Sequence, residues 1–301
     1  MKNICLLIVA VVLFSLHVNA QSSIIATGGE ATENGGIVSF SIGQIAVQTN
    51  GDGVTTISEG VQHPYEISVS GVDNYPTITL NLTVGTPAFA CGTSTLTDVD
   101  GNTYNTFQIG EQCWMKENLR TTKKPNGSTI SSGIWAPGNN SIQTYGRLYS
   151  WATVMNGASS SNANPSGVQG ICPDGWHVPS DNEWKQMEMA MGMSQSDAND
   201  TEYRSNIAAK LSCNTGWSSS STANAAGNLD TPDRNSSGFS ALPAGYYGSN
   251  HVYFGSYAGF WSATERNSDN AYYRGLYYNY AGVGRDDGNK STGYSVRCVR
   301  D

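Results

Sequence analysis

The stretch ICPDGWHVPSDNEWKQMEMAMG, Ile171 to Gly192, decides how the rest of the chain is read. It spells an entry strand, a proline-bounded turn and one helix. Ser180 is the natural N-cap. Glu183, three residues on, completes a capping box in which two orphan backbone N–H groups are satisfied reciprocally. Asp181 and Glu183 put negative charge into the first turn, where the helix dipole favours it. Trp184, Met187 and Met191 fall at i, i+3 and i+7 and form one apolar stripe. Gly192 supplies the C′ stop. Away from this helix the chain reads as strands and turns.

Cysteines tie that stretch to distant parts of the sequence. Beyond the N-terminal apolar segment stand Cys91, Cys113, Cys172, Cys213 and Cys298. In an exported chain these make two disulfides and leave one thiol over. Cys91 and Cys113 flank a hairpin and are paired on that ground. Cys172 opens the central stretch and Cys298 lies near the last residue. Joining them staples the start of the helical segment to the closing strand, an effect of about 4–5 kcal/mol in the loop-entropy account. Cys213 is then free. The sequence by itself leaves this connectivity open.

Export is read from the N-terminus. Lys2, the apolar run Ile4 to Leu16 and the small-residue site Val18-Asn19-Ala20 make residues 1–20 a signal peptide. Its apolar part is too short to span a bilayer, and no later stretch approaches ~20 apolar residues. These features predict a secreted or cell-surface protein with no membrane span after signal cleavage. The chain carries 16 basic and 24 acidic residues, a net charge of −8, which argues against nucleic acid and anionic membranes as partners. Charged residues make up only 13%. Gly, Ser, Asn and Thr are plentiful, so strands with many loops are favoured over a helical bundle.

In chain order, residues 21–69 read as a small all-β module. Val38, Phe40 and Ile42 alternate with Ser39 and Ser41, and Asn50-Gly51-Asp52-Gly53 is a turn before a strand from Val54. The segments GGEATENGGIVSFSIGQ and EGVQHPYEI resemble a module near the start of many secreted Bacteroidetes proteins, which implies export. Residues 70–90, with Pro76 and Pro87, read as a linker. Thr95–Val99, a turn at Asp100-Gly101-Asn102, and Tyr104–Ile109 predict a hairpin. Asp98-Val99-Asp100-Gly101-Asn102 invites a calcium-loop reading. The spacing is wrong, because the loop glycine belongs at position six and no Glu closes position twelve, so the segment is read as a turn. A short helix is expected over Ser150–Met155 and a second over Glu202–Leu211, with Ile207, Ala208 and Leu211 on one face. Phe239–Tyr246, Gly259–Thr264 and Ala271–Tyr278 read as strands, Gly284–Gly293 as a turn region and Tyr294–Arg300 as the closing strand.

No catalytic motif emerges. His63, His177 and His251 lack zinc-ligand spacing, and His177 reads as a packed structural histidine. No nucleophile elbow, P-loop or dinucleotide fingerprint is present, so no metal, cofactor or enzymatic activity is expected. The C-terminal aromatics are the better clue, because ten of the sixteen tyrosines lie between Tyr246 and Tyr294. A tyrosine offers a flat apolar face and a polar tip, useful at adaptable binding surfaces. Trp261, Tyr257 and Tyr280, with Arg285, Asp286, Asp287 and Asn289 from the Gly282–Gly293 loop, are the candidate ligand-binding residues. The competing reading makes the aromatics core and cross-strand pairs and the loop a solvated hairpin.

The segments DVDGNTYNTFQIGEQCWMKENLRTT, YGRLYSWATVMNG, CPDGWHVPSDNEWKQME, SGFSALPAGYY, FWSATE, AYYRGLYYN and GYSVRCVRD occur in this order. Together, over residues 91–301, they closely resemble the Fibrobacter succinogenes major paralogous domain. That resemblance implies a bacterial, exported, surface-associated protein without an established enzymatic activity. At longer range GWHVPSDNEWKQME, FWSATE and GYSVRCVR are similar to C-type-lectin-like domains and the formylglycine-generating-enzyme fold. This implies an α+β architecture: small antiparallel sheets, one to three short helices and long loops. The lectin-like pattern also pairs a cysteine near the helix with one in the last strand, which supports Cys172–Cys298. The Glu-Pro-Asn or Gln-Pro-Asp and Trp-Asn-Asp tripeptides of calcium-dependent lectins do not occur, and Trp261 is followed by Ser262-Ala263, so those calcium and sugar ligands do not carry over. The paired active-site cysteines of the formylglycine enzyme have no match either. The expectation is an exported, non-catalytic module that recognises an extracellular glycan or surface protein through tyrosine-rich loops. A structural or adhesive part of a surface assembly, such as a pilus tip, is the alternative, and an enzyme of unknown class comes third.

Overall fold

The computed structural model describes residues 88–301 and, before them, only the backbone of Thr27–Glu33 (β1) and Gly36–Ile42 (β2). The chain divides into two compact units, Met1–Pro87 and Ala88–Asp301. In the first, β1 and β2 pair antiparallel, Thr27 opposite Ile42 and Glu33 opposite Gly36. The expected signal peptide, the turn at 50–53 and nearly all of the linker lie outside the described residues.

The second unit is α+β. Leu96–Thr97 (β3) pairs with Thr103–Tyr104 (β4), and Thr106–Ile109 (β5) with Gln112–Met115 (β6). The single predicted hairpin is therefore two successive ladders, because Asn105 sits between β4 and β5 and breaks the register. Ile134–Trp135 (β7) and Leu148–Tyr149 (β8) form a short ribbon around the one-turn helix Ile142–Tyr145 (α1). Trp151–Met155 (α2) follows, with Ser150 as its N-cap. Next come Trp176–His177 (β9), Asp181–Ala190 (α3), Gln195–Asn199 (α4), Glu202–Arg204 (β10) and Ala208–Leu211 (α5). After a long loop stand Tyr246–Tyr247 (β11), His251–Val252 (β12), Tyr257–Glu265 (β13), Asn270–Tyr277 (β14), Val283–Asn289 (β15) and Val299–Arg300 (β16).

Helix α3 forms where its caps place it. The Ser180 hydroxyl accepts the Glu183 N–H at 3.1 Å, and the Ser180 N–H donates to the Glu183 carboxylate at 2.9 Å. Gly192 follows the C-cap in the left-handed region, with φ = 100°. Two antiparallel four-stranded sheets surround this helix, in the orders β10-β15-β14-β13 and β5-β6-β16-β9. One apolar cluster joins Trp184 and Met187 of α3 to Trp114, Phe239, Phe260, Leu276 and Val283. A second gathers Tyr149, Trp151, Trp176, Trp261, Tyr294 and the Cys172–Cys298 disulfide. Both expected disulfides, Cys91–Cys113 and Cys172–Cys298, are present, and Cys213 is a buried free thiol.

Four element assignments are corrected. The second helix expected over Glu202–Leu211 is strand β10 followed by the single turn α5, because Glu202 and Ser205 hold left-handed φ values of 62° and 57° that no helix accommodates. The expected turn region Gly284–Gly293 is mostly strand β15, whose charged side chains are satisfied by partners described below. Phe239–Tyr246 is a strand only at its end, where Tyr246 pairs with Val252. The closing segment is likewise a strand only at Val299–Arg300, although Tyr294 and Ser295 make isolated bridges to Tyr149 and Phe260.

Candidate functional site

The β10-β15-β14-β13 sheet has two chemically opposite faces, because side chains alternate along each strand. The face toward α3 carries Arg204, Val283, Arg285, Arg274, Leu276 and Phe260. Arg274 donates through Nη1 to Asp181 at 2.8 Å and through Nε to Glu188 at 2.6 Å. Arg285 holds Asp181 with both Nε and Nη2 at 2.8 Å, and Arg204 holds Glu188 at 2.8 and 3.1 Å. Lys185 adds a contact to Asp181 at 3.2 Å. Burial alone would push the Asp181 carboxyl up, but Arg274, Arg285 and Lys185 outweigh it and hold the group well below the usual carboxylate range. Five buried ionic side chains thus pin three strands to one helix.

The opposite face is built from tyrosine and glycine. Tyr203 lies opposite Gly284, Gly284 opposite Gly275 and Gly275 opposite Gly259, so a glycine row crosses three strands. Rings lie in the trough this leaves. A Cβ added at Gly275 would collide with the Tyr257 hydroxyl, and one at Gly259 with the Tyr294 ring. Beside the trough, Tyr273 stands between Trp261 and Asp286 in register and stacks on Tyr294 at 4.6 Å between centroids.

This tyrosine face emerges from the core by degrees. Trp261, Tyr257 and Tyr294 are buried, Tyr246, Tyr273 and Tyr277 are half-buried, and Tyr203, Tyr280 and Tyr253 are 41%, 46% and 52% exposed. The outer rings form one continuous run. Tyr203 stacks on Tyr280 at 4.4 Å, Tyr280 meets Tyr277 at 5.8 Å, Tyr277 meets Tyr253 at 5.6 Å and Tyr253 meets Tyr246 at 6.0 Å. These are the offset and edge-to-face separations that ring quadrupoles favour. Tyr253 itself holds φ = 56°, a conformation costing a bulky residue about 1–2 kcal/mol. Its carbonyl accepts the N–H groups of Ser256 and Tyr257, the tight turn that enforces it.

The polar tips of this shelf are unspent. Tyr104 and Tyr149 donate their hydroxyls to Asp98 and to the Thr121 carbonyl, and the Tyr272 hydroxyl accepts from Arg266. The hydroxyls of Tyr203, Tyr253, Tyr277 and Tyr280 bond no other described residue. Burial, then neighbouring phenols and Asp286, pushes the Tyr203 hydroxyl up, and burial does the same at Tyr277 and Tyr246. All three are neutral donors at pH 7, as phenols are at their ordinary value of about 10. Asp286, exposed at the rim, accepts the Asp287 N–H at 2.8 Å.

The seven candidate residues do not share one surface. Trp261 is fully buried and donates its indole N–H to the Tyr149 carbonyl at 2.8 Å, Tyr257 is interior, and Arg285 faces α3; for these three the expectation of ligand contact is corrected. They belong to the scaffold because β13 runs through the core at Trp261 and Tyr257, and because Arg285 on β15 is spent on Asp181 of α3. Tyr280 and Asp286 do lie at the shelf. Asp287 turns to Asn270 and Arg266, and Asn289 closes its own turn through Ser291. Tyr203 escapes a sequence reading that places it on a helix. Its signal is the Glu-Tyr-Arg alternation, one ring between two charges, as in a strand.

Two other polar clusters satisfy themselves. His177 contacts Glu183 through Nε2 and Asp301 through Nδ1, both at 2.6 Å, at the base of a cavity of about 250 Å³ lined also by Trp176 and Gln169. Burial opposes its charge, but the two carboxylates overcome this and raise its pKa, so neither ring nitrogen is left for chemistry. Asp98 accepts the N–H groups of Asp100 and Asn102, each at 2.9 Å, and Asp100 is taken up by Thr121, Thr122 and Lys123. The segment is a turn whose carboxylates already hold protein donors. Among the described residues no helix is long and apolar enough to cross a membrane.

No curated protein and no solved structure matches the chain. The family described as the Fibrobacter succinogenes major domain matches residues 107–300, well over half of the chain and nearly all of the second unit. The chain belongs to the Fibrobacter succinogenes major domain family.

Proposed function

We propose that this chain is an exported, non-catalytic binding module and that the tyrosine shelf is its recognition surface for an extracellular glycan or surface protein. One observation carries the reading. Of the five large hydrophobic side chains exposed among the described residues, three are Tyr203, Tyr253 and Tyr280, and all three belong to a single run of touching rings. Scattered exposed apolar groups need no explanation, but a contiguous aromatic patch marks an interaction site. Tyrosine is the residue type enriched at such sites, since it gives large contact area with little rotamer entropy to lose.

Two disulfides fit an oxidising compartment. A lectin-like arrangement is supported by the capped helix α3 packed on an antiparallel sheet and by the Cys172–Cys298 link to the last strand. The non-catalytic reading rests on the carboxylates of Asp181, Glu183 and Glu188 and on both nitrogens of His177, each held by a protein partner. The test is to display glycans and surface proteins on arrays and compare the full chain with a Tyr203→Ala/Tyr253→Ala/Tyr280→Ala variant. Features bound by the wild type should weaken by at least tenfold in the variant, about 1.4 kcal/mol. Equal binding by a folded variant, or no feature bound by the wild type, overturns the proposal.

A further inference from the structure

We infer that the shelf takes an uncharged, extended polysaccharide of pyranose units, bound by packing of successive sugar C–H groups against the exposed ring faces and edges of the Tyr203–Tyr280–Tyr277–Tyr253 run, with Asp286 accepting from sugar hydroxyls. This names the ligand class of the surface proposed above and rests on that reading.

The chemistry of the surface selects the ligand. A pyranose chair with equatorial hydroxyls has an apolar face of C–H groups and a rim of hydroxyls. The shelf answers this with ring faces and edges for the C–H groups and phenol tips for the rim. The four outer hydroxyls have no partner among the described residues, and a phenol is neutral at pH 7 at its ordinary value of about 10. They act as donors toward ring and hydroxyl oxygens, while Asp286 supplies an acceptor opposite Tyr273. A ligand rich in both donors and acceptors at short intervals answers this pattern.

Charge narrows the class. The nearby cations are already spent: Arg285 on Asp181, Lys290 on Glu265 and Arg266 toward Asp287. Asp286 and the exposed Glu202 at the end of β10 add negative potential, and the whole chain carries −8. A uronate, sulfated or sialylated chain would bring negative charge to a rim with no counter-ion. A basic peptide would find Asp286, but it would leave a row of phenol donors facing ammonium and guanidinium groups, which are donors only.

Length follows from the run itself. Ring centroids succeed one another at 4.4, 5.8 and 5.6 Å from Tyr203 to Tyr253. A single sugar covers only part of that run, so several consecutive units are engaged and affinity grows with chain length.

The test uses the full chain with 3-fluorotyrosine incorporated, followed by fluorine NMR. Resonances are assigned from single Tyr→Phe variants, with the interior Tyr104 and Tyr149 as controls. The probes are cellohexaose and mannohexaose, their disaccharides, hexagalacturonate and hexalysine. The expected result is that Tyr203, Tyr253 and Tyr280 signals move with a neutral hexasaccharide while the controls stay. Affinity should fall at least tenfold from hexasaccharide to disaccharide and at least tenfold in Tyr253→Ala/Tyr280→Ala, the size of about 1.4 kcal/mol. It should be insensitive to salt. Movement of the shelf signals with hexagalacturonate or hexalysine alone overturns the ligand class and leaves the shelf standing as a binding surface. Signals unmoved by every probe also overturn the ligand class, and the array comparison then decides separately whether the shelf binds anything.

Discussion

Arg274 holds Asp181 and Glu188 together, two carboxylates two turns apart on one helix, at 2.8 and 2.6 Å. The guanidinium comes from the central strand pair of the sheet whose far face carries the tyrosines. Removing it leaves buried carboxylates short of a partner, a loss of about 3–5 kcal/mol. Arg274→Ala should therefore lower the chemical-denaturation midpoint far more than Arg266→Ala, an exposed arginine 3.9 Å from Asp287. Equal effects would show that the seam does not hold the sheet.

The same seam sets the acid limit of the fold. The Asp181 carboxyl titrates well below its ordinary value in the folded chain. A depressed folded pKa contributes stability that is present above the unfolded value, near 3.9, and is lost as pH falls below it. Denaturation followed between pH 5 and 2 should show a steep decline in the wild type. Asp181→Asn should be less stable at pH 7 and show a shallower decline over that interval.

His177 acts in the opposite direction. Its pKa is raised by Glu183 and Asp301 against the opposing effect of burial. A raised folded pKa contributes stability that is fully present below about pH 6.5 and is lost as pH rises through the folded value. His177→Gln should remove this part of the pH dependence. A proton NMR titration of the ring that gives a midpoint at or below 6.5 would contradict the geometry.

The glycine row makes a graded prediction. A methyl at Gly275 or Gly259 meets the Tyr257 hydroxyl or the Tyr294 ring in the packed interior. At Gly284 the nearest atoms are the Gly275 carbonyl at 3.3 Å and a Tyr203 ring carbon at 3.5 Å. Gly275→Ala and Gly259→Ala should each cost about 1–3 kcal/mol by overpacking, and Gly284→Ala distinctly less. Thermal melts of the three variants would settle the order.

The two disulfides should differ in weight. Cys172–Cys298 spans 126 residues of sequence and Cys91–Cys113 spans 22. The loop-entropy account makes the longer link worth about 1.5 kcal/mol more. Paired Cys→Ala variants compared by urea denaturation test this.

Much of the scaffold was legible in the sequence. Ser180, Glu183 and Gly192 announce α3 through local chemistry that tertiary contacts need only accept. Ser150 does the same for α2. Strand β15 was not legible, because its Arg285-Asp286-Asp287 run looks like a solvated turn until Asp181, far away in sequence, is seen to neutralise Arg285. Tyr203 was hidden for a similar reason, since Ile207, Ala208 and Leu211 suggest a longer helix that the left-handed Glu202 and Ser205 prevent. The aromatic clue pointed to residues that the structure places in unlike surroundings. Burial separates Trp261 and Tyr257 from Tyr280, and burial along a half-immersed strand depends on which neighbours cover it.

One property of the sheet constrains how such a chain can change. Arg204 follows Tyr203, Arg274 follows Tyr273 and Arg285 follows Gly284, so guanidinium and shelf positions alternate along each strand. A slip of one residue in any strand would send the guanidiniums to the solvent side and the rings into the helix interface. The ion pairs therefore act as a register lock. Insertions and deletions within β10, β14 or β15 are forbidden by electrostatics, while ring-for-ring exchange on the outer face is cheap. The outer face on this plan can drift by substitution alone, with the helix and its two carboxylates keeping these three strands in phase.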